Sequence, residues 1–273
     1  MAASNLVVRI GTAVVGVPAI LALLYLAPPW GIFALVAAAA CVGALELMQM
    51  TWPGDRVAQA VGVLLTLAVS VCVYFFTNDA RVLLTVMLLA PLLGLLLPLW
   101  RLGNIATGAL RIGASCFGPL YVGAMLTTLA LFRKEQPGTD GAGYVVVALA
   151  FAWLSDTGGY FAGRYLGRRK LYEAVSPKKT VAGSIGGLAA AVAGGVAAHF
   201  TFLPSLPLVH AIVLGVVAGF LGQLGDLGES LLKRAVGVKD SGSILPGHGG
   251  ILDRVDALLV TSTVLYLYTR WMT

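Results

Sequence analysis

Charge is scarce in this chain: Asp, Glu, Lys and Arg make up only 11% of its 273 residues. Soluble domains carry about a quarter, so a water-facing surface cannot be assembled from so few. Cysteine is nearly absent as well. Cys41, Cys72 and Cys116 each stand alone inside an apolar run. Without a CxxC pair, neither a zinc framework nor a disulfide framework is indicated, and the three read as small buried hydrophobes. Walker A, HExxH and GxSxG patterns are missing too, which argues against an ATPase, a zinc protease and a serine hydrolase. The chain shows no tandem repeat, no low-complexity tract and no stretch polar enough for a separate soluble domain.

What is present is apolar length. Hydrophobic residues reach 59% and the mean hydropathy is +0.91. A membrane span needs about 20 mostly apolar residues. Nine runs qualify: Val7–Leu26, Trp30–Met50, Val57–Phe76, Val82–Trp100, Ile112–Phe132, Tyr144–Gly163, Val181–Phe200, Leu208–Leu232 and Asp253–Trp271. In hydrocarbon such runs must satisfy their own backbone, so they are helices; a barrel would show short alternating segments. The expectation is an all-α, polytopic integral membrane protein with about nine spans. The first run is too long for a signal-peptide core, and no small-x-small site precedes Ala27-Pro28-Pro29, so it reads as an uncleaved helix.

Basic residues are distributed unevenly. With nine spans, fourteen of the Lys and Arg residues fall on the side of the N-terminus and the even-numbered loops, and four on the other. The excess places that side in the cytoplasm. Its basic loops attract anionic headgroups at about 1 kcal/mol per residue, and no nucleic-acid partner is expected. Two regions follow from texture. Residues 1–133 are about five helices joined by short turns, a scaffold with possible lipid-access or dimer contacts. Residues 134–273 hold about four helices and three polar blocks, so any chemistry belongs there. Glu46 lies near the cytoplasmic end of its run, where its charge can reach water. His199 and His210 flank a short non-cytoplasmic turn and read as interfacial residues.

Several residues in the second region have chemical potential. Asp156 sits well inside an apolar run, followed by Gly158 and Gly159. A carboxylate there lines a functional cavity or makes a structural ion pair with a residue such as Arg164. Asp226, Ser230 and Lys233 stand at i, i+4 and i+7, which stacks a carboxylate, a hydroxyl and an ammonium on one helical face; a helix end emerging into water reads the same way. Asp253 and Asp256 lie three apart at a helix start. One of them can cap free N–H groups, but two like charges this close favour a cation between them. Oxygen ligands suit a hard ion such as Mg²⁺, which also binds substrate phosphate. His248-Gly249-Gly250 precedes the pair, offering backbone N–H groups to an anion and an imidazole as donor or proton shuttle, or simply a flexible loop. Lys178 and Lys179, between Ser176-Pro177 and Thr180, suit a phosphate and equally a positive membrane anchor. Together these groups are what metal-assisted phosphoryl or nucleotidyl transfer requires.

The run from Ser230 to Asp256 is similar to the signature of the phosphatidate cytidylyltransferases, also called CDP-diacylglycerol synthases. The match includes Ser230, Lys233, Arg234, Lys239, Asp240, Pro246, His248, Gly249, Gly250, Asp253, Arg254 and Asp256. Ser155–Arg164 and Ser176–Thr180 resemble the family's other recurring blocks, in order. The specific resemblance covers about Ser155–Asp256; the N-terminal half agrees only in hydropathy. One departure stands out: the family continues its SPKKT block with Trp-Glu-Gly, and here Val181-Ala182-Gly183 follows, which removes a glutamate.

The resemblance implies transfer of the cytidylyl group of CTP to phosphatidic acid, giving CDP-diacylglycerol and pyrophosphate. By position it implies Asp226, Asp253 and Asp256 as ligands of Mg²⁺ (or Mn²⁺), with a monovalent cation such as K⁺ beside it, and Asp226, Lys233, Asp253 and Asp256 as catalytic residues. Ser230, Lys233, Lys239 and Arg254 would contact phosphates, with His248, Lys178, Lys179 and Asp156 as further substrate contacts. It also implies a homodimer in the bacterial inner membrane, with a cytoplasm-facing cavity open sideways to lipid. Two rivals remain open: a lipid-alcohol kinase that takes the γ-phosphoryl of CTP, and a transporter whose aspartates bind a coupled ion.

Overall fold

The structure is a computed structural model in which residues 16–136, 138–242 and 249–272 are described. Its elements are α1 (Gly16–Leu26), α2 (Pro29–Thr51), α3 (Arg56–Phe75), α4 (Ala80–Trp100), α5 (Gly108–Gly118), α6 (Met125–Glu135), α7 (Asp140–Leu166), strands β1 (Lys170–Tyr172) and β2 (Ser176–Thr180), α8 (Val181–Thr201), α9 (Leu208–Ala235) and α10 (Leu252–Met272). The all-α membrane architecture expected from hydropathy holds. Among the described residues, seven helical segments are long and apolar enough to cross a membrane, and each coincides with one of the expected runs. One of them, Ile105–Glu135, is a continuous rod in which α5 and α6 are joined by wider π turns over Pro119–Ala124. Pro119 has no N–H to donate to the preceding turn, so the helix is free to widen there. The first expected run lies partly outside the described residues. The ninth is α10, whose Asp253, Arg254, Asp256 and Arg270 keep it out of the seven.

The chain divides into two compact units: Met1–Leu131 with Asp240–Arg254, and Phe132–Lys239 with Val255–Thr273. The segment Asp240–Arg254, which the sequence groups with the second region, belongs to the first unit. In that unit α2 packs on α3, α4 on α5, and the π turns on α3. Asp55 starts α3 by accepting the Ala58 N–H, and Asp79 starts α4 by accepting from Arg81 and Val82. Such caps satisfy donors that a helix start leaves open. Trp52, 1% exposed, packs with Met48, Ala58 and Leu97. Its ring nitrogen donates to Ser115 Oγ at 3.2 Å, and the Arg111 guanidinium lies 4.8 Å over the ring. Arg101 grips the Asp55 carboxylate with two bonds, 3.0 and 3.2 Å. The hydrogen bond from Arg101 holds the Asp55 carboxyl below the usual aspartate range, helped by the N–H of Ala58.

In the second unit α8 packs against both α7 and α9. The approach of α7 and α8 depends on residues without side chains. A Cβ at Gly158 would stand 2.7 Å from the Gly186 carbonyl oxygen and 2.6 Å from the Ala190 Cβ. Small residues that bring two backbones together are a common way of packing helices in lipid. Between α7 and α8 the chain forms an antiparallel hairpin, Lys170 opposite Thr180 and Tyr172 opposite Ser176. The sequence reading had these residues as a polar loop. Thr180 ends the hairpin and caps α8 through the Gly183 N–H, at 3.1 Å. His199 is held by the Leu206 carbonyl at 2.8 Å, and His210 of α9 by the Tyr268 hydroxyl of α10 at 2.7 Å.

Candidate active site

The second unit contains a cavity of about 410 Å³. α7 contributes Ser155, Asp156, Tyr160 and Arg164; β2 contributes Lys178 and Lys179; the first turn of α8 contributes Ser184; α9 contributes Gln223 and Asp226. Adjacent strand residues point to opposite faces, so the neighbouring lysines differ in surroundings: Lys178 is exposed and Lys179 half-buried. The Lys179 ammonium donates to Asp226 Oδ2, an ion pair between two partly exposed side chains. One turn along α9, Ser230 Oγ lies 3.4 Å from Asp226 Oδ1. The i, i+4 stacking expected of these two is therefore present.

The floor is polar and internally satisfied. Gln223 Nε2 donates to Ser155 Oγ and to the Ser184 carbonyl, both at 3.1 Å, and its carbonyl oxygen accepts from the Ser184 hydroxyl. This network ties α7, α8 and α9 together behind the two charges. Sequence reasoning passed over Gln223, although it stands three residues before Asp226 and so shares its face. Ser155, Ser184, Tyr160 and Arg164 were also missed as lining residues. Tyr160 and Arg164 are joined one turn apart, the guanidinium donating to the phenol oxygen at 2.8 Å.

Asp256, on α10, belongs to the same electrostatic neighbourhood. Here α10 packs closely on α9: a Cβ at Gly225, next to Asp226, would stand 3.2 Å from the Asp256 carbonyl oxygen. Within its own helix the Asp256 carboxylate accepts the Ala257 N–H at 2.7 Å. Lys233, placed with Asp226 and Ser230 by spacing, is 7% exposed and donates to Glu229 Oε2 at 2.9 Å. Glu229, one turn before it on α9, is buried as well, at 2% exposed. Lys239 and Arg254 are exposed, and His248 lies outside the described residues.

Asp253 belongs to the first unit, where its Oδ2 accepts the Ser241 and Gly250 N–H groups, both at 2.9 Å. Gly249, just before, has φ of 80°, a backbone region open chiefly to glycine. Glu46 corrects the sequence reading outright. It is 1% exposed and does not reach water; its partners are more than 190 residues away in sequence, so no local pattern could have revealed them.

Among the described residues, no three His, Cys, Asp or Glu side chains are grouped as a ready-made metal cage. Mg²⁺ is seldom held by such cages; it takes one or two carboxylates and completes its shell with water and substrate phosphate. Asp226 and Asp256, carboxylates contributed by two neighbouring helices, fit that demand.

The family model described as Cytidylyltransferase family matches residues 7–272. The chain is 41% identical over 175 residues to the phosphatidate cytidylyltransferase of Brucella suis biovar 1 (strain 1330), a match covering 64% of this chain and 60% of that protein. It is 45% identical over 159 residues to the phosphatidate cytidylyltransferase of Bacillus subtilis (strain 168), covering 57% of each. The phosphatidate cytidylyltransferase of Synechocystis sp. (strain ATCC 27184 / PCC 6803 / Kazusa) is 40% identical over 162 residues, 58% of this chain and 55% of that one. The chain thus spans 60% or less of the length of these relatives. A match running through almost all of its residues leaves one assignment: this chain belongs to the cytidylyltransferase family.

Proposed function

We propose that this chain is a phosphatidate cytidylyltransferase: a phosphate oxygen of phosphatidic acid attacks the α-phosphorus of CTP, the bond from that phosphorus to the bridging oxygen breaks, and pyrophosphate leaves with CDP-diacylglycerol formed. The observation that carries the reading is the cavity lined by Lys178 and Lys179 of one hairpin strand, in which Lys179 pairs with Asp226 of α9. Cations there can bind and orient phosphate while a carboxylate stands ready for a bridging ion. Membership of the family and the names of the relatives supply the substrates.

In this reading Lys179 and Lys178 grip phosphate oxygens and balance the charge that gathers as the leaving group departs. Ser230 orients the Asp226 carboxylate, and the Gln223 network keeps the cavity floor rigid. Asp226 and Asp256 would hold Mg²⁺, or Mn²⁺ in its place; Asp253 is proposed as a further ligand by family position alone. When bound there, such an ion would supply Lewis-acid polarisation of phosphoryl oxygens and offset the charge of two anionic reactants. Lys239, Arg254 and His248 are proposed substrate contacts by family position, as is K⁺ as an accompanying ion. The excess of basic residues on one side supports a cavity facing the cytoplasm of a bacterial inner membrane, and the family resemblance supports a homodimer.

The test is incubation of purified protein with phosphatidic acid, Mg²⁺ and CTP labelled at either the α- or the γ-phosphorus. α-Label recovered in lipid is the expected result. γ-Label in lipid would replace the reading with a CTP-dependent kinase, and label in neither would remove the transferase.

A further inference from the structure

The first unit buries a carboxylate that the proposed chemistry does not use. Glu46, in the C-terminal half of α2, has three described donors: Ser241 Oγ and the Leu252 N–H to Oε2, and the Ile251 N–H to Oε1, each at 2.9 Å. Burying a carboxylate is costly unless hydrogen bonds replace its water. Here they do so with backbone donors that α10 leaves open at its first turn, where the helix dipole also favours negative charge. Glu46 thus caps a helix more than 200 residues ahead of it in the chain.

The same contacts lead directly to Asp253. Ser241, held by Glu46 through its hydroxyl, gives its own N–H to Asp253 Oδ2 and receives the Asp253 N–H on Oγ at 3.3 Å. Gly250, next to the Ile251 that Glu46 holds, gives the second N–H to Asp253 Oδ2. The glycines around this cluster are explained by the carboxylate they enclose. A Cβ at Gly250 would stand 2.4 Å from Glu46 Oε2 and 2.2 Å from Ser241 Oγ, and one at Gly242 would stand 2.6 Å from Glu46 Oε1.

We propose that Glu46 is a positioning residue: by gripping Ser241 and the first turn of α10 it sets the orientation of the Asp253 carboxylate. It acts through Asp253 and touches no substrate. The inference rests on the reading that Asp253 serves cytidylyl transfer, but its structural half stands without that reading.

The substitution Glu46→Gln keeps the size and shape of the side chain while replacing one acceptor oxygen with a donor, which cannot face an N–H. Two readouts on the full-length protein in detergent decide the matter. In hydrogen–deuterium exchange, amides of residues 249–254 should exchange about tenfold faster or more, the loss expected for hydrogen bonds to a charged group, while α8 and α9 stay unchanged. In the CTP assay, kcat per folded molecule should fall about 10–100-fold, as displacement of a reacting group by about 1 Å does, with KM for CTP near its wild-type value. A purely structural residue would lower the melting temperature and leave kcat per folded molecule alone; that result overturns the proposal, as does unchanged exchange. Should Glu46→Gln not fold, Ser241→Ala removes both hydroxyl bonds, the one to Glu46 and the one from the Asp253 N–H, and keeps both backbone bonds to Glu46. A smaller loss of the same kind is then expected, and wild-type kcat and exchange would refute the idea. If the wild-type protein transfers no cytidylyl group, the functional reading fails and exchange alone still judges the clamp.

Discussion

Replacing Lys179 with glutamine separates a structural ion pair from a phosphate-binding cation. The pair with Asp226 joins side chains that are 28% and 21% exposed, so water screens it. Pairs of that kind contribute about 1 kcal/mol or less to stability, which in a chain of this size shifts a melting temperature by about 2–4 °C. A cation that meets the charge developing on a transferred phosphoryl group is worth far more, about 10²–10³-fold in turnover. Lys179→Gln is therefore expected to melt close to wild type and to lose about two to three orders of magnitude in kcat/KM. The measurements are label transfer from α-labelled CTP to lipid, and thermal unfolding in the same detergent. Lys178→Gln is the companion, with a smaller effect because Lys178 is exposed and Lys179 is the residue aimed at Asp226. Wild-type turnover in Lys179→Gln would refute the reasoning, since a cavity whose inward cation is dispensable does not bind the reacting phosphates.

Asp256→Asn should abolish label transfer while unfolding at the same temperature as wild type or above it, because it removes one of several carboxylates that repel one another; unfolding well below wild type would mean that this charge is structural. Asp55 behaves in the opposite sense. Its carboxyl lies below the ordinary value of about 3.9 because Arg101 hydrogen-bonds it. Its stabilisation is present above that value and is lost as pH falls from there through the lower folded value. Arg101→Met should accordingly flatten the acid limb of melting temperature against pH, and an unaltered limb would exclude the pair as its source. Gly158→Leu drives a side chain into the Gly186 carbonyl and should cost about 1–3 kcal/mol by overpacking, read as a lower melting temperature; an unshifted value would show that α7 and α8 can separate.

How much of this could be read in advance varied with the range of the interaction. The apolar runs matched helices because a span satisfies its backbone locally. Asp226 and Ser230 met as spacing required, because i and i+4 adjacency is a property of one helix. The buried pair of Lys233 with Glu229 is likewise an i, i+4 contact within one helix. The hairpin over Lys170–Thr180 went unseen: its strands are three and five residues long, too short for alternation to stand out. Glu46 was misjudged because its depth along a span suggested water, whereas two segments near the other end of the chain cover it.

By itself, the sequence settled that this is a helical membrane protein of the cytidylyltransferase type, since hydropathy and a long spaced signature are properties of consecutive residues. Only the tertiary structure decided which distant groups meet: Lys179 with Asp226, and the Glu46 carboxylate with the start of α10. In a chain with so few charges each one must find its counterpart through space, and distance along the chain carries no record of that choice.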